Sequence, residues 1–216
     1  MPRMLREVVF VDGVRTPFGK AGPGGLYAQT RADDLVVSCI RELIRRSPQL
    51  APERVDEVAI AATTQAGDQG LTIGRTAALL AGLPASVPGY AIDRMCAGAM
   101  TAVTTTASGI AFGAYDVAIA ATTQTGDQGL TIGRTASLLA GLPQSVPGYA
   151  IDRMCAGAMT AVTSVAGGIA FGAYDIAIAG GVEHMGRHPM GEGVDPNPRI
   201  ISRMQLTARS SARVWA

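Results

Sequence analysis

Two cysteines of this chain stand in identical surroundings. Cys96 lies within Asp93-Arg-Met-Cys-Ala-Gly-Ala-Met-Thr-Ala-Val103, and Cys155 lies within the same run from Asp152 to Val162. A short apolar run precedes each cysteine and a stretch of small residues follows, the pattern of a strand giving way to a helix with the thiol at the turn. There the sulfur faces the unpaired N–H groups of the first helical turn and the positive end of the helix dipole. Both stabilise a thiolate and make a cysteine useful as a nucleophile for acyl transfer. Arg94 and Arg153 precede the cysteines closely and add positive charge if they turn inward, although an arginine at a turn serves equally well pointing to solvent. The same spacing suits a buried structural cysteine, so residue types alone leave both readings open.

Other reactive residues are set less favourably. His184 and His188 flank a turn beside Glu183 and would share a metal on a helix, but Gly186 and Pro189 predict a loop, so no metal is expected. Gly70-Leu-Thr-Ile-Gly74-Arg-Thr has the wrong glycine spacing for a phosphate loop, and an arginine where a lysine is needed. Gly22 to Gly25 reads as a flexible turn. Cys39 falls on the apolar face of a predicted helix and reads as a small core residue. Three cysteines without a CxxC spacing argue against a disulfide framework or a zinc ribbon and fit a reducing cytoplasm.

Charge excludes further classes. Eighteen basic against seventeen acidic residues leave a net charge of +1, so no basic field draws nucleic acid or a membrane surface. With 48% apolar and 16% charged residues the chain has material for a core and is not of the disordered class. Met95 to Tyr115 is uncharged and contains a GxxxG at Gly109–Gly113, the form of packed membrane helices. It is crowded with Thr, Ala and Gly, however, and reads as a buried helix running into a strand. The apolar run Val8–Val11 is too short for a secretory signal.

The elements that must position the cysteines are themselves duplicated. Val58–Asp116 and Val117–Asp175 are two 59-residue copies identical at 53 positions. They differ at Ala66/Thr125, Ala78/Ser137, Ala85/Gln144, Thr105/Ser164, Thr106/Val165 and Ser108/Gly167. Two near-identical units are too few for a solenoid, which needs at least three, and read as a segmental duplication. Without one copy, 157 residues remain, one modest domain. Its pattern predicts a first strand at Arg6–Asp12, then a helix at Asp33–Arg46. That helix carries Leu35, Val36, Cys39, Ile40, Leu43 and Ile44 on one face, acids in its first turn and arginines in its last. A buried strand at Val58–Ala62, a short helix at Thr76–Ala81 stopped by Gly82 and Pro84, a strand at Tyr90–Asp93 and a helix at Ala97–Phe112 follow. A strand at Val117–Ala120 closes copy one and also opens copy two, which ends in a strand at Ile176–Ala179. Strands alternating with helices predict an α/β layer architecture. Two identical cysteine helices compete for one place in its core, so one copy is expected to take that place and the other to be a loosely packed insertion.

With these residues assembled, the chain resembles the thiolases. Asp93-Arg-Met-Cys96-Ala-Gly is similar to the family's Asn-Arg-x-Cys-Ala-Ser-Gly nucleophile motif, with Asp93 for the Asn and Gly98 and Ala99 for the Ser-Gly. Val14-Arg-Thr-Pro-Phe-Gly19 resembles its N-terminal Arg-Thr-Pro loop, and Gly67-Asp-Gln-Gly70 the stretch before its helix of small residues. Gly180-Gly-Val-Glu-His-Met-Gly186 resembles its Gly-Gly-x-Glu-x-Met-Ser segment, with Gly186 at the Ser position. The resemblance runs from about Glu7 to Ile200.

It implies a thiolase-like layered α/β fold, N-terminal half only, with a mixed sheet and packed helices. Residues 1–201 would form the family-like domain holding repeats 58–116 and 117–175, and 202–216 an unrelated tail from a disrupted reading frame. It also implies acyl transfer between CoA thioesters, by 3-oxoacyl-CoA thiolysis or acetyl-CoA condensation. Cys155 or Cys96 would carry the acyl group, coenzyme A would be a substrate with no tightly bound cofactor, and the protein would be a homodimer. A ketoacyl synthase is the nearest alternative, and the Arg-Thr-Pro and Gly-Gly-Val-Glu-His-Met segments favour thiolase. Cys155 is preferred because the Gly180 segment follows it directly while Val117–Ala120 stands in for the strand before it. The family's Gly-His-Pro histidine, Cys-x-Gly-Gly-Gly cysteine and Asn-Glu-Ala-Phe segment do not occur, and His188 lies beside the Glu-His-Met segment, not at the catalytic histidine's place. The chain is therefore expected to be inactive as it stands, or to be a non-catalytic remnant that only dimerises or misfolds.

Overall fold

The apolar run of copy one makes the centre of the sheet. The structure is a computed structural model that describes residues 5–20, 23–62, 65–94, 97–123, 132–153, 156–181 and 195–200. Helix α1 (Ala32–Arg46) and a 3-10 turn at Pro52–Arg54 lead into β1 (Glu57–Ala62), followed by α2 (Ile73–Ala81), β2 (Gly89–Asp93), α3 (Gly98–Phe112) and β3 (Ala118–Thr123). Copy two then adds α4 (Ile132–Leu139), β4 (Ala150–Asp152) and α5 (Gly157–Ala170). The sheet has the order β3-β1-β2-β4. β1 is parallel to both β2 and β3, pairing Ile60 with Ala91 and with Ala121, while β4 runs antiparallel to β2. The sheet is therefore mixed, with helices packed on it, as the α/β reading expects.

Alternation along β1 sorts the core into two faces. Val58, Ile60 and Ala62 lie in one cluster with Val36, Val37 and Ile40 of α1 and Ile73, Ala77 and Leu80 of α2. Ala59 and Ala61 lie in the other, with Tyr90, Ile92 and Ala102 of α3. All six residues of β1 are buried, as the continuous apolar run of a central parallel strand requires. The acids at the start of α1 hold the later chain as well as the helix dipole. Asn197 Nδ2 donates to Asp33 at 3.0 Å and to Asp34 at 3.2 Å, Arg31 bridges Asp33 and Asp195, and Ile200 enters the core.

Two expectations are corrected. Arg6–Asp12 forms no strand: Phe10 is 82% exposed, and the segment is tethered through the Arg6 N–H to the Ala111 carbonyl and the Arg6–Asp116 ion pair. An apolar run becomes a strand only where a ladder partner meets it, and both edges of β1 are taken. Ile176–Ala179 is likewise unpaired, with Ile178 81% exposed. Its copy-one counterpart is β3, which ends the sheet on the side away from β4. Copy two is the more loosely packed copy, as expected, although β4 docks on β2 and α5 on α3. The strand assigned to both copies serves copy one, as β3 beside β1.

Candidate active site

In each copy the expected strand-to-helix junction is present: β2 ends at Asp93 and α3 begins at Gly98, β4 ends at Asp152 and α5 begins at Gly157. Cys96 and Cys155 lie outside the described residues, as do Glu183, His184 and His188. The residues that bracket both cysteines are described and repeat the same geometry. Ala97 N–H donates to the Arg94 carbonyl and Ala156 N–H to the Arg153 carbonyl, both at 3.0 Å. Among the described residues no side chain caps α3 or α5, and first-turn N–H groups of a helix attract an anion.

The two arginines turn inward. Arg94 Nη1 donates to Thr101 Oγ1 at 3.2 Å, and Thr101 donates to the Ala97 carbonyl at 2.9 Å. Arg153 and Thr160 repeat this at 3.3 and 3.0 Å. Each guanidinium is thus bound to the first turn of its own helix, adding positive charge where the dipole is already positive. Arg153 also pairs with Glu57 at 3.1 Å. Glu57 is 4% exposed, and its Oε1 has no hydrogen-bond partner among the described residues. Burial pushes its carboxyl above the usual carboxylate range while Arg153 pulls the other way. Burial likewise pushes the Tyr90 and Tyr149 hydroxyls up, so both rings stay neutral.

Sequence reasoning passed over one strained segment. Leu71 and Thr72, just before α2, both adopt positive φ, at 55° and 50°. A branched residue such as threonine pays about 1–3 kcal/mol there, and such strain is held only where surroundings over-determine it. Thr72 is buried and donates to Asp152 Oδ2 at 3.1 Å, across to the second junction. No residue type in Gly70–Gly74 signals the contact to Asp152, because Asp152 belongs to the other copy. The Gly67–Gly70 motif has a structural use: Asp68 accepts the Ala32 N–H at 2.8 Å at the start of α1, and the Gly67 carbonyl accepts from Asp195 N–H.

The family model for the thiolase N-terminal domain matches residues 8–123 and again 118–212. The chain belongs to the thiolase family. The two matches overlap on 118–123, the residues of β3, so the family pattern claims for both copies a strand that the sheet pairs only as copy one's. A beta-ketoadipyl-CoA thiolase from Pseudomonas knackmussii is 44% identical over 54% of this chain and 29% of its own length. A 3-ketoacyl-CoA thiolase from Yersinia enterocolitica is 29% identical over 97% of this chain and 41% of its own. Among solved structures, an acetyl-CoA acetyltransferase from Bacillus anthracis aligns at 35% identity over 44% of this chain and 24% of its own, with a TM-score of 0.41. The chain thus spans less than half the length of the curated relatives it matches. Among the described residues, no helix is long and apolar enough to cross a membrane.

The preference for Cys155 rested on the Gly180 segment that follows it, with Val117–Ala120 standing in for the strand before it. The sheet places β3 against β1, and among the described strands β4 pairs with β2. Copy one keeps the strand framework, while copy two keeps the Gly180 segment downstream.

Proposed function

We propose that the junctions are sites of thiolase-type acyl transfer, with a Cys96 or Cys155 thiolate as acceptor and CoA thioesters as substrates, acting in the cytoplasm. Coenzyme A enters and leaves as a substrate, with no tightly bound cofactor. The observation carrying this reading is the arginine bound to an uncapped helical first turn directly after a buried strand, in a chain of this family. The thiolate attacks the thioester carbonyl, a Cys–S–acyl bond forms, and the CoA thiolate leaves and takes up a proton. The remaining half of the cycle needs a base and an acid, and the 216 residues hold no Gly-His-Pro or Cys-x-Gly-Gly-Gly segment to supply them. The chain is therefore expected to be acylated without turning over, and acylation separates this reading from that of a non-catalytic remnant. The boundary at residue 201 belongs to the same proposal.

The test is incubation with acetyl-CoA followed by peptide mass spectrometry. One acetyl group on the Cys96 or Cys155 peptide is expected, without thiolysis of acetoacetyl-CoA at the roughly 1–10³ per second typical of enzymes. No acylation of either peptide sinks the acyl-transfer reading, and sustained turnover sinks the expectation of inactivity.

A further inference from the structure

Val117–Thr123 repeats the sequence of Val58–Thr64, so β3, which closes copy one, is also the twin of β1. The two strands are parallel and face the same way. Ile119 packs against the cluster that holds its twin Ile60, and Ala120 against the one that holds its twin Ala61. Parallel strands with matching faces present matching edges, so the edge of β1 that carries β3 corresponds to the edge of β3 turned away from β1. Among the described residues that outer edge has no ladder partner. Ala118–Thr123 carries neither charge nor proline, the devices that keep an open edge from recruiting another strand.

The strand that fits this edge is in the same sequence. Ile176–Ala179 follows the same Phe-Gly-Ala-Tyr-Asp as Val117–Ala120 and is unpaired among the described residues, with Ile176 88% and Ile178 81% exposed. In copy one Val58 pairs with Ile119 and Ala59 with Ala120. Moving both sides along by the 59-residue repeat sets Val117 opposite Ile178 and Ala118 opposite Ala179. We propose that the outer edge of β3 takes up Ile176–Ala179 from a second copy of this chain, as a parallel strand in that register. Each chain offers one open edge and one unpaired strand, a heterologous contact that repeats from chain to chain unless it closes. The new ladder is weaker than that of β1 with β3. There Asp56 accepts the N–H groups of Asp116 and Val117 at 2.9 and 3.1 Å, whereas Tyr115 stands at the place of Asp56 in the repeat. Without that clasp the association depends on chain concentration.

Two full-length variants made separately, Val117→Cys and Ile178→Cys, are mixed and oxidised. Neighbouring strands lie about 4.8 Å apart, within the Cα separations that a disulfide accepts. A disulfide joining position 117 of one chain to position 178 of another is expected, read by peptide mass spectrometry. Each variant carries one of the two thiols, so this link cannot form within a chain. Its yield should exceed that of Val117→Cys mixed with Leu139→Cys, a similarly exposed site, by about tenfold or more, because a docked thiol is held at high effective concentration. Equal yields, or no link while α1 and α2 amides stay protected from exchange, overturn the proposal. So does a link within one chain of Val117→Cys/Ile178→Cys isolated as a monomer, which would show the edge filled by its own segment. In the native chain the mass seen by light scattering should rise with concentration, and Ile178→Asp should reduce that rise without disturbing the fold. A rise left unchanged by Ile178→Asp also overturns it.

Discussion

Copy one and copy two are nearly the same sequence in two different situations. Their local structure is the same. Arg75 donates to the carbonyls of Val87 and Ala85, and Arg134 to those of Val146 and Gln144. Gly109 lets the Tyr115 ring approach its helix so closely that a Cβ would overlap it, and Gly168 does the same for Tyr174. Their burial is not the same. β2 is buried throughout and β4 only partly, and Leu80 is 5% exposed where its counterpart Leu139 is 84% exposed. Copy one has α1 to cover α2 and β1 to pair with β2 and β3. Copy two has neither, because the strand that would be its centre is held in copy one's sheet. Helical geometry therefore follows from the segment itself, while its stability depends on what lies against it.

That contrast is sharpest in the core. Leu80→Ala is expected to lower the unfolding free energy by about 2–5 kcal/mol, the usual cost of emptying a buried leucine site. Leu139→Ala should change it by no more than about 0.5 kcal/mol, as for an exposed position. Denaturant melts of the two variants check this, and equal costs would show that copy two has a core of its own.

The junctions differ through Glu57, which pairs with Arg153. Arg153→Ala leaves a buried carboxylate without its cation and is expected to cost about 1–3 kcal/mol at pH 7, below the cost for fully buried pairs because Arg153 is partly exposed. Arg94→Ala should cost less. The Glu57 carboxyl is raised by burial, so its contribution to stability is full below the unfolded value of about 4.3 and is lost as pH rises through the folded value. Melts of Glu57→Gln from pH 4 to pH 7 should therefore gain on the native chain as pH rises. A constant difference across that range would place the carboxyl in water.

The smallest effect concerns the thiols. Cys96 follows the strand that is seated in the sheet, and is expected to react with iodoacetamide near pH 7 modestly faster than Cys155, the dipole being better held in α3 than in α5. Faster labelling of Cys155 would restore the weight of the Gly180 segment.

The junctions were legible before any coordinates because their signals are local: an apolar run, an arginine, then a stretch of small residues. α1 was legible for the same reason, from its apolar face and the charges at its two ends. The inward turn of Arg94 and Arg153 was not, since the tyrosines they face belong to the opposite copy, and Glu57 carried no sign of its role for the same reason. Arg6–Asp12 and Ile176–Ala179 read as strands by residue type and are unpaired, because β-propensity describes fitness for a pleated surface and supplies no surface.

By itself the sequence determined the helices, their stops and the doubled cysteine turn, all of which need only contacts a few residues apart. The tertiary structure decided which copy owns β3, that β4 runs against β2, and that α5 packs on α3. Each strand edge accepts one ladder, and two identical segments cannot both hold the same edge, so that choice is made by the whole chain and by no residue in it.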